Sequence, residues 1–288
     1  MGSVTRTRRL LKWVGNALLV VMLVWTLMPF YWMVATSLKR DKEIYGFEAT
    51  LVPRQPNLDA YRRLFAQTPF VKYLRNSTII AVSTTVASLV FGCLGAYALA
   101  RLRFRGRAII ARGLIFTYLV PQSLLFIPLF AVMATLALTD TLKGLTLAYL
   151  GFTLPFCTWL LLGYFRSVPL ELEEAALVDG CSRLGALVRI ILPMSLPALA
   201  VVAFFSFTQA WNEFLYANVF VNSVEARTIT MGLTLFVVED VFFWGPMMAA
   251  ACLATVPPVL VYLIFQRWVV KGLTLGAVKG QPQGGTDG

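Results

Sequence analysis

At 288 residues, with 58% hydrophobic residues, 14% charged residues and no histidine, the chain reads as an integral membrane protein. The missing histidine excludes Ser-His and Cys-His nucleophile systems. The four cysteines form no C-x-x-C pair, and no G-x-x-x-x-G-K-[ST] phosphate loop is present, so neither a metal site, a disulfide framework nor direct ATP binding of that kind is expected. A net charge of +11 would point a soluble protein toward nucleic acid, but here the basic residues fall between apolar runs and topology accounts for them.

In chain order, Arg6, Arg8, Arg9 and Lys12 precede an apolar run from Trp13 to Thr36. That run exceeds the roughly 7–15 apolar residues of a cleaved signal and reaches the roughly 20 that span a bilayer, so it is expected to be a retained helix with its basic end inside. Six spans can be drawn over residues 14–36, 78–100, 108–136, 145–164, 196–221 and 245–265. The third is overlong and is expected to tilt, to kink near Pro121 or Pro128, or to end in an interfacial turn. Arg101, Arg103, Arg105, Arg107 and Arg112 mark the loop after the second span as cytoplasmic, and both termini follow it inside the plasma membrane. Residues 37–75 should then lie outside, although they carry Lys39, Arg40, Lys42, Arg54, Arg62, Arg63, Lys72 and Arg75. Leu58, Tyr61, Leu64 and Phe65 at helical spacing imply a surface-folded segment there. Residues 1–280 read as a single transmembrane domain and 281–288 as a disordered tail.

The loop from Arg166 to Pro197 carries the most chemistry. Pro169 can open a helix whose first turns hold Glu171, Glu173 and Glu174, where acids suit the dipole. Ala175, Ala176 and Leu177 continue it, with Asp179 next and Gly180 as terminator. A second short helix over 183–192 should end where Pro193 and Pro197 redirect the chain. The product is a helix–turn–helix whose small alanines permit close approach by a partner. An ordinary interfacial helix pair would look the same.

The spacing E-A-A-x3-G-x9-I-x-L-P, on Glu174, Ala175, Ala176, Gly180, Ile190, Leu192 and Pro193, resembles the permease subunits of carbohydrate-type bacterial ABC importers. Trp211-Asn212-Glu213-Phe214 is similar to that family's W-N-[DE]-F segment. Phe265-Gln266-Arg267 and the stretch from Lys271 to Gly280 are similar to its C-terminal ending, which narrows the likeness to the six-span partner of the maltose-transporter group. Cys181 departs from the alanine more usual before Ser182. The resemblance implies an all-α type I ABC importer permease fold with a cytoplasmic coupling helix between spans four and five. It implies coupling through Glu173, Glu174, Ala175, Ala176, Asp179, Gly180, Ile190, Leu192 and Pro193. It implies no cofactor on this chain, ATP and Mg on a partner ATPase dimer, a second permease, an extracytoplasmic solute-binding protein and a sugar-like solute moved by alternating access. Lys271, Gly272, Gly276 and Lys279 would contact the ATPase.

Within the fifth span, Gln209, Asn212, Glu213 and Tyr216 fall at i, i+3, i+4 and i+7, on one helical face. Polar groups in a span face a watery cavity or a neighbouring helix, so this face is either solute pathway or interhelical glue. Gln122 beside Pro121 is a lesser pathway candidate. A self-sufficient secondary transporter is the alternative class, but the repeats and intramembrane ion-coupling groups it usually shows are not evident. A membrane enzyme fits less well still.

Overall fold

The computed structural model describes residues 2–238 and 241–278, and their regular elements are all helices apart from one two-residue ladder. Helix α1 spans Gly2–Ser37, α2 Asp41–Ile44 and α3 Asp59–Gln67. Helix α4 spans Phe70–Arg101, α5 Arg107–Leu119, α6 Gln122–Thr135 and α7 Leu142–Ser167. Helix α8 spans Leu170–Val178 and α9 Arg183–Ala186, followed by a π turn at Leu187–Ile191. Then come α10 (Leu192–Met194), α11 (Leu196–Asn212), α12 (Leu215–Phe220) and α13 (Ile229–Thr234). Strands β1 (Val237–Val238) and β2 (Val241–Phe242) pair antiparallel before α14 (Trp244–Val278).

Four helices, α1, α4, α7 and α14, are long and apolar enough to cross a membrane, and two bent helix pairs bring the number to six if each is one span. The overlong third segment breaks at Val120–Pro121, where α5 and α6 meet at 108°. Val120 is extended, as the residue before a proline prefers to be, and Pro121 offers no N–H to continue the ladder. Pro128 lies within α6 without ending it. The fifth segment, expected as one helix to Val221, instead ends at Asn212 and resumes at Leu215. The sixth runs past Phe265 to Val278, so the C-terminal group begins on helix rather than in a tail. Lys279 and residues 281–288 lie outside the described residues.

Among the described residues the chain forms two compact units, 2–70 with 233–255 and 71–232 with 256–278. In the first, residues 12–31 of α1 are exposed along their whole length. The basic segment beyond it folds on its own charges. Arg63 donates two hydrogen bonds of 2.7 Å to Asp41, and that guanidinium holds the Asp41 carboxyl below its usual range. Glu43 accepts from the Thr50 hydroxyl and the Arg54 amide, which lowers its pKa too. Lys39 is buried over the Trp32 ring and donates to the Thr50 carbonyl. Arg63 and Lys39 therefore serve local structure. On α3, Ala60 and Leu64 are buried while Phe65, and Leu58 at the N-cap, stay exposed, so the buried stripe is narrower than the sequence implies.

The second unit packs α4, α7, the π turn and α11 around Ala96, Tyr97, Cys157, Leu161, Phe165, Leu187, Ile191 and Val202. Close packing rests on small residues, as between spans generally: a Cβ on Gly92 would lie 3.6 Å from that of Cys157. Ser88 with Thr153 at 2.9 Å and Cys157 with Ser206 at 3.1 Å add polar bonds between helices.

Candidate functional site

The helix–turn–helix forms as its sequence dictates. Pro169 stands at the N-cap of α8, with Glu171 and Glu173 in the first turn. Gly180 closes the helix with φ +87°, a left-handed conformation that favours glycine. The Gly180 amide donates to the Leu177 carbonyl at 3.1 Å and the Cys181 amide to the Ala176 carbonyl at 2.9 Å, the paired bonds of a Schellman ending. Ser182 then caps α9 by accepting from the Gly185 amide at 3.1 Å. The expected single helix over 183–192 is instead α9, the π turn and α10, after which the chain bends by 83° into α11.

The acids of α8 divide by environment. Glu173 is 3% exposed, while Glu174, Ala175, Asp179 and Gly180 are exposed. Tyr97 donates to Glu173 Oε1 at 2.6 Å. Arg101 Nε lies 2.8 Å from Glu173 Oε2 outside hydrogen-bond geometry, a close coulombic contact. Arg101 also donates to the Val168 carbonyl at 2.8 Å, so the end of α4 grips both the entry to α8 and its buried acid. Ala176 is buried beside Glu173, whereas Val178 is 87% exposed. The helix thus hides an acid and presents a valine, the reverse of a self-contained surface helix. Ile190 and Leu192 are half-buried and Pro193 exposed.

The four polar residues of the fifth segment do not share one helical face, because the backbone is extended at Glu213. Glu213 accepts from the Tyr149 hydroxyl at 2.8 Å and from the Tyr216 and Ala217 amides at 2.8 and 3.1 Å. Its carboxylate therefore satisfies free N–H groups at the start of α12 and ties that start to α7. Tyr216 donates to the Gln122 carbonyl at 2.9 Å, which joins α12 to the break beside Pro121. Gln209 and Asn212 make no side-chain hydrogen bond among the described residues, and Asn212 is exposed. Lys271, Gly272 and Gly276 follow along the α14 backbone.

Sequence reasoning missed Tyr97, Arg101 and Tyr149 as partners of these acids. The positive-inside rule reads Arg101 only as a topological charge, although Tyr97 and Arg101 at i and i+4 share a face of α4. It missed Asp140 as well, which accepts from the Asn222 and Ser223 amides at 3.0 and 2.9 Å and from the Ser223 hydroxyl at 2.9 Å. Those bonds, the Ser223 amide first, hold the Asp140 carboxyl below its ordinary pKa. A group with a depressed folded pKa stabilises above its unfolded value, about 3.9. Asp140→Ala should therefore cost about 1 kcal/mol at pH 7. The difference from the unsubstituted chain should shrink as pH falls through the depressed pKa, which thermal unfolding in detergent at several pH values would measure.

The chain is thus a multi-pass helical protein with a short, partly exposed helix between two apolar segments. Residues 64–275 match the family described as binding-protein-dependent transport system inner membrane component, and the chain belongs to that family. Among its relatives, the inner membrane ABC transporter permease protein YcjP of Escherichia coli is 38% identical over 91% of this chain and 94% of that protein. The trehalose/maltose transport system permease protein MalG of Thermococcus litoralis is 38% identical over 95% of this chain and 98% of that one. A solved bacterial ABC transporter involved in the import of the acidic polysaccharide alginate superposes with a TM-score of 0.81 at 25% identity, covering 92% of this chain and 98% of that chain.

Proposed function

We propose that this chain is the transmembrane permease subunit of an ATP-driven importer that carries a sugar or related polyol across the plasma membrane by alternating access. The observation that carries the reading is α8, whose acid Glu173 is consumed inside the chain while Glu174, Ala175 and Val178 face outward. An exposed valine beside an alanine and a carboxylate is a surface for a partner to cover. Family membership and the sugar-transporting relatives supply the class of machine, and favour it over a self-sufficient secondary transporter.

In this reading α1, α4, α5 with α6, α7, α11 with its preceding bend, and α14 make six spans of one permease domain over residues 1–280, with both termini cytoplasmic. Helix α8 is the coupling helix. It docks on an ATPase dimer that holds ATP and Mg, while this chain holds no cofactor. Closure of that dimer moves α8 because the two ATPase states bind it differently. Arg101 and Tyr97 transmit the movement to α4 through Glu173, and Gly180, Ile190, Leu192 and Pro193 shape the turn into α11. A second permease and an extracytoplasmic binding protein complete the assembly, and Lys271, Gly272, Gly276 and Lys279 reach the ATPase. Gln209 and Asn212 have free amides for sugar hydroxyls, and Glu213, Tyr216 and Gln122 hold the local break open beside them.

Purification of the tagged chain from its native membrane in mild detergent, with mass spectrometry of what accompanies it, tests this reading. A Walker-type ATPase and a second permease are expected. Recovery of the chain alone, from membranes that contain candidate ATPases, would overturn it.

A further inference from the structure

The arginines after α4 do more than mark a side of the membrane. Ala108, Arg112 and Ile115 on α5 and Trp159, Gly163 and Arg166 on α7 recur at helical spacing and wall a groove of about 430 Å³. At Arg166 it opens into a second hollow of about 540 Å³ beside Arg107. At Ile115 and Trp159 it runs into a recess of about 140 Å³ lined by apolar side chains alone.

Two of the three charges at the basic end, those of Arg112 and Arg166, are not spent. Arg107 donates to the Ala100 and Leu102 carbonyls at 3.1 and 3.3 Å. Arg112 and Arg166 are exposed and have no hydrogen-bond or ion-pair partner among the described residues. No acid lines either hollow. A Cβ on Gly163 would meet nothing within 4 Å, so the floor between the two arginines and Trp159 is open.

Two free guanidiniums at one end of an apolar slot match an amphiphile with an anionic head. Guanidinium binds phosphate through paired, charge-assisted hydrogen bonds, and basic pockets between spans are sites for such headgroups. We propose that this groove binds an anionic phospholipid, its phosphate held by Arg112 and Arg166 and its acyl chain laid along Ile115 and Trp159. A free phosphate would leave the slot bare, and a neutral lipid would leave the arginines unpaired. The orientation argued above puts the lipid in the inner leaflet, but the head chemistry holds for either leaflet.

The test uses the whole complex in detergent, stripped of lipid and without ATP, so its outcome is separate from that of the transport reading. Phosphatidylglycerol with brominated acyl chains is titrated in, and phosphatidylcholine with the same chains in parallel. The Trp159 signal is the difference between the chain and its Trp159→Phe variant. Saturable quenching by phosphatidylglycerol is expected at a concentration about tenfold below that of phosphatidylcholine. Arg112→Gln and Arg166→Gln should each raise the half-quenching concentration roughly fivefold, since each cation near an anionic surface is worth about that factor. Gly163→Phe, which fills open space, should abolish the preference without disturbing the fold. Equal quenching by the two lipids, unaltered in the arginine variants, would reduce the groove to ordinary lipid contact and overturn the proposal. Relief of quenching by inorganic phosphate would mark a free-anion site, and a cross-link from position 163 to the second permease would mark a protein interface. Either would also overturn it.

Discussion

Glu173→Leu alone is expected to destabilise the chain by about 3–5 kcal/mol, and Arg101→Met alone by a similar amount, whereas the double substitution costs less than either. The reason is where these charges sit. The two side chains are 3% and 8% exposed, so removing one leaves the other buried without its counter-charge. Removing both also removes the desolvation penalty, and two apolar side chains of similar length can pack in the space. Tyr97 loses an acceptor in every variant that lacks Glu173, so the double variant does not fully recover. Detergent-solubilised thermal unfolding of the four chains gives the cycle directly. Additive losses would mean that the pair is not coupled.

Gly180→Pro is expected to abolish ATP-driven uptake with membrane insertion retained. Proline cannot reach a φ of +87° and deletes the amide that donates to Leu177, so the Schellman ending of α8 is lost and the exposed face of α8 is re-aimed. Gly180→Asn should keep most of the uptake, because asparagine tolerates the left-handed region and a Cβ there meets nothing within 4 Å. Glu174→Lys should also abolish uptake, by reversing an exposed charge without touching the fold. Normal uptake by well-expressed Gly180→Pro or Glu174→Lys would remove α8 from the coupling route.

What the sequence made legible and what it hid follow from the range of the interactions. The start of α8 at Pro169 and its end at Gly180 are local, fixed by φ and by missing or free amides, and they read directly from residue type. The break at Pro121 is local too. The break at Glu213 is not. The run from Leu196 to Val221 is apolar enough for one helix, and the helix stops because the Glu213 carboxylate finds Tyr149, 64 residues away, and the next two free amides. The same holds for Glu173. Three acids within four residues look interchangeable, and only the packing of α8 on the end of α4 buries one and leaves its neighbour outside. The basic segment after α1 hides its pairing for a related reason, since Arg63 finds Asp41 22 residues away.

The most direct measurement is photo-cross-linking from α8 in the native membrane. A photoreactive residue is placed at Glu174 or at Val178, both exposed, and at Lys143 near the far end of α7 as a control. The account predicts adducts with an ATPase subunit from positions 174 and 178, changed in yield by nucleotide, and none from position 143. Adducts with lipid alone from positions 174 and 178, in membranes where the complex is assembled, would contradict it.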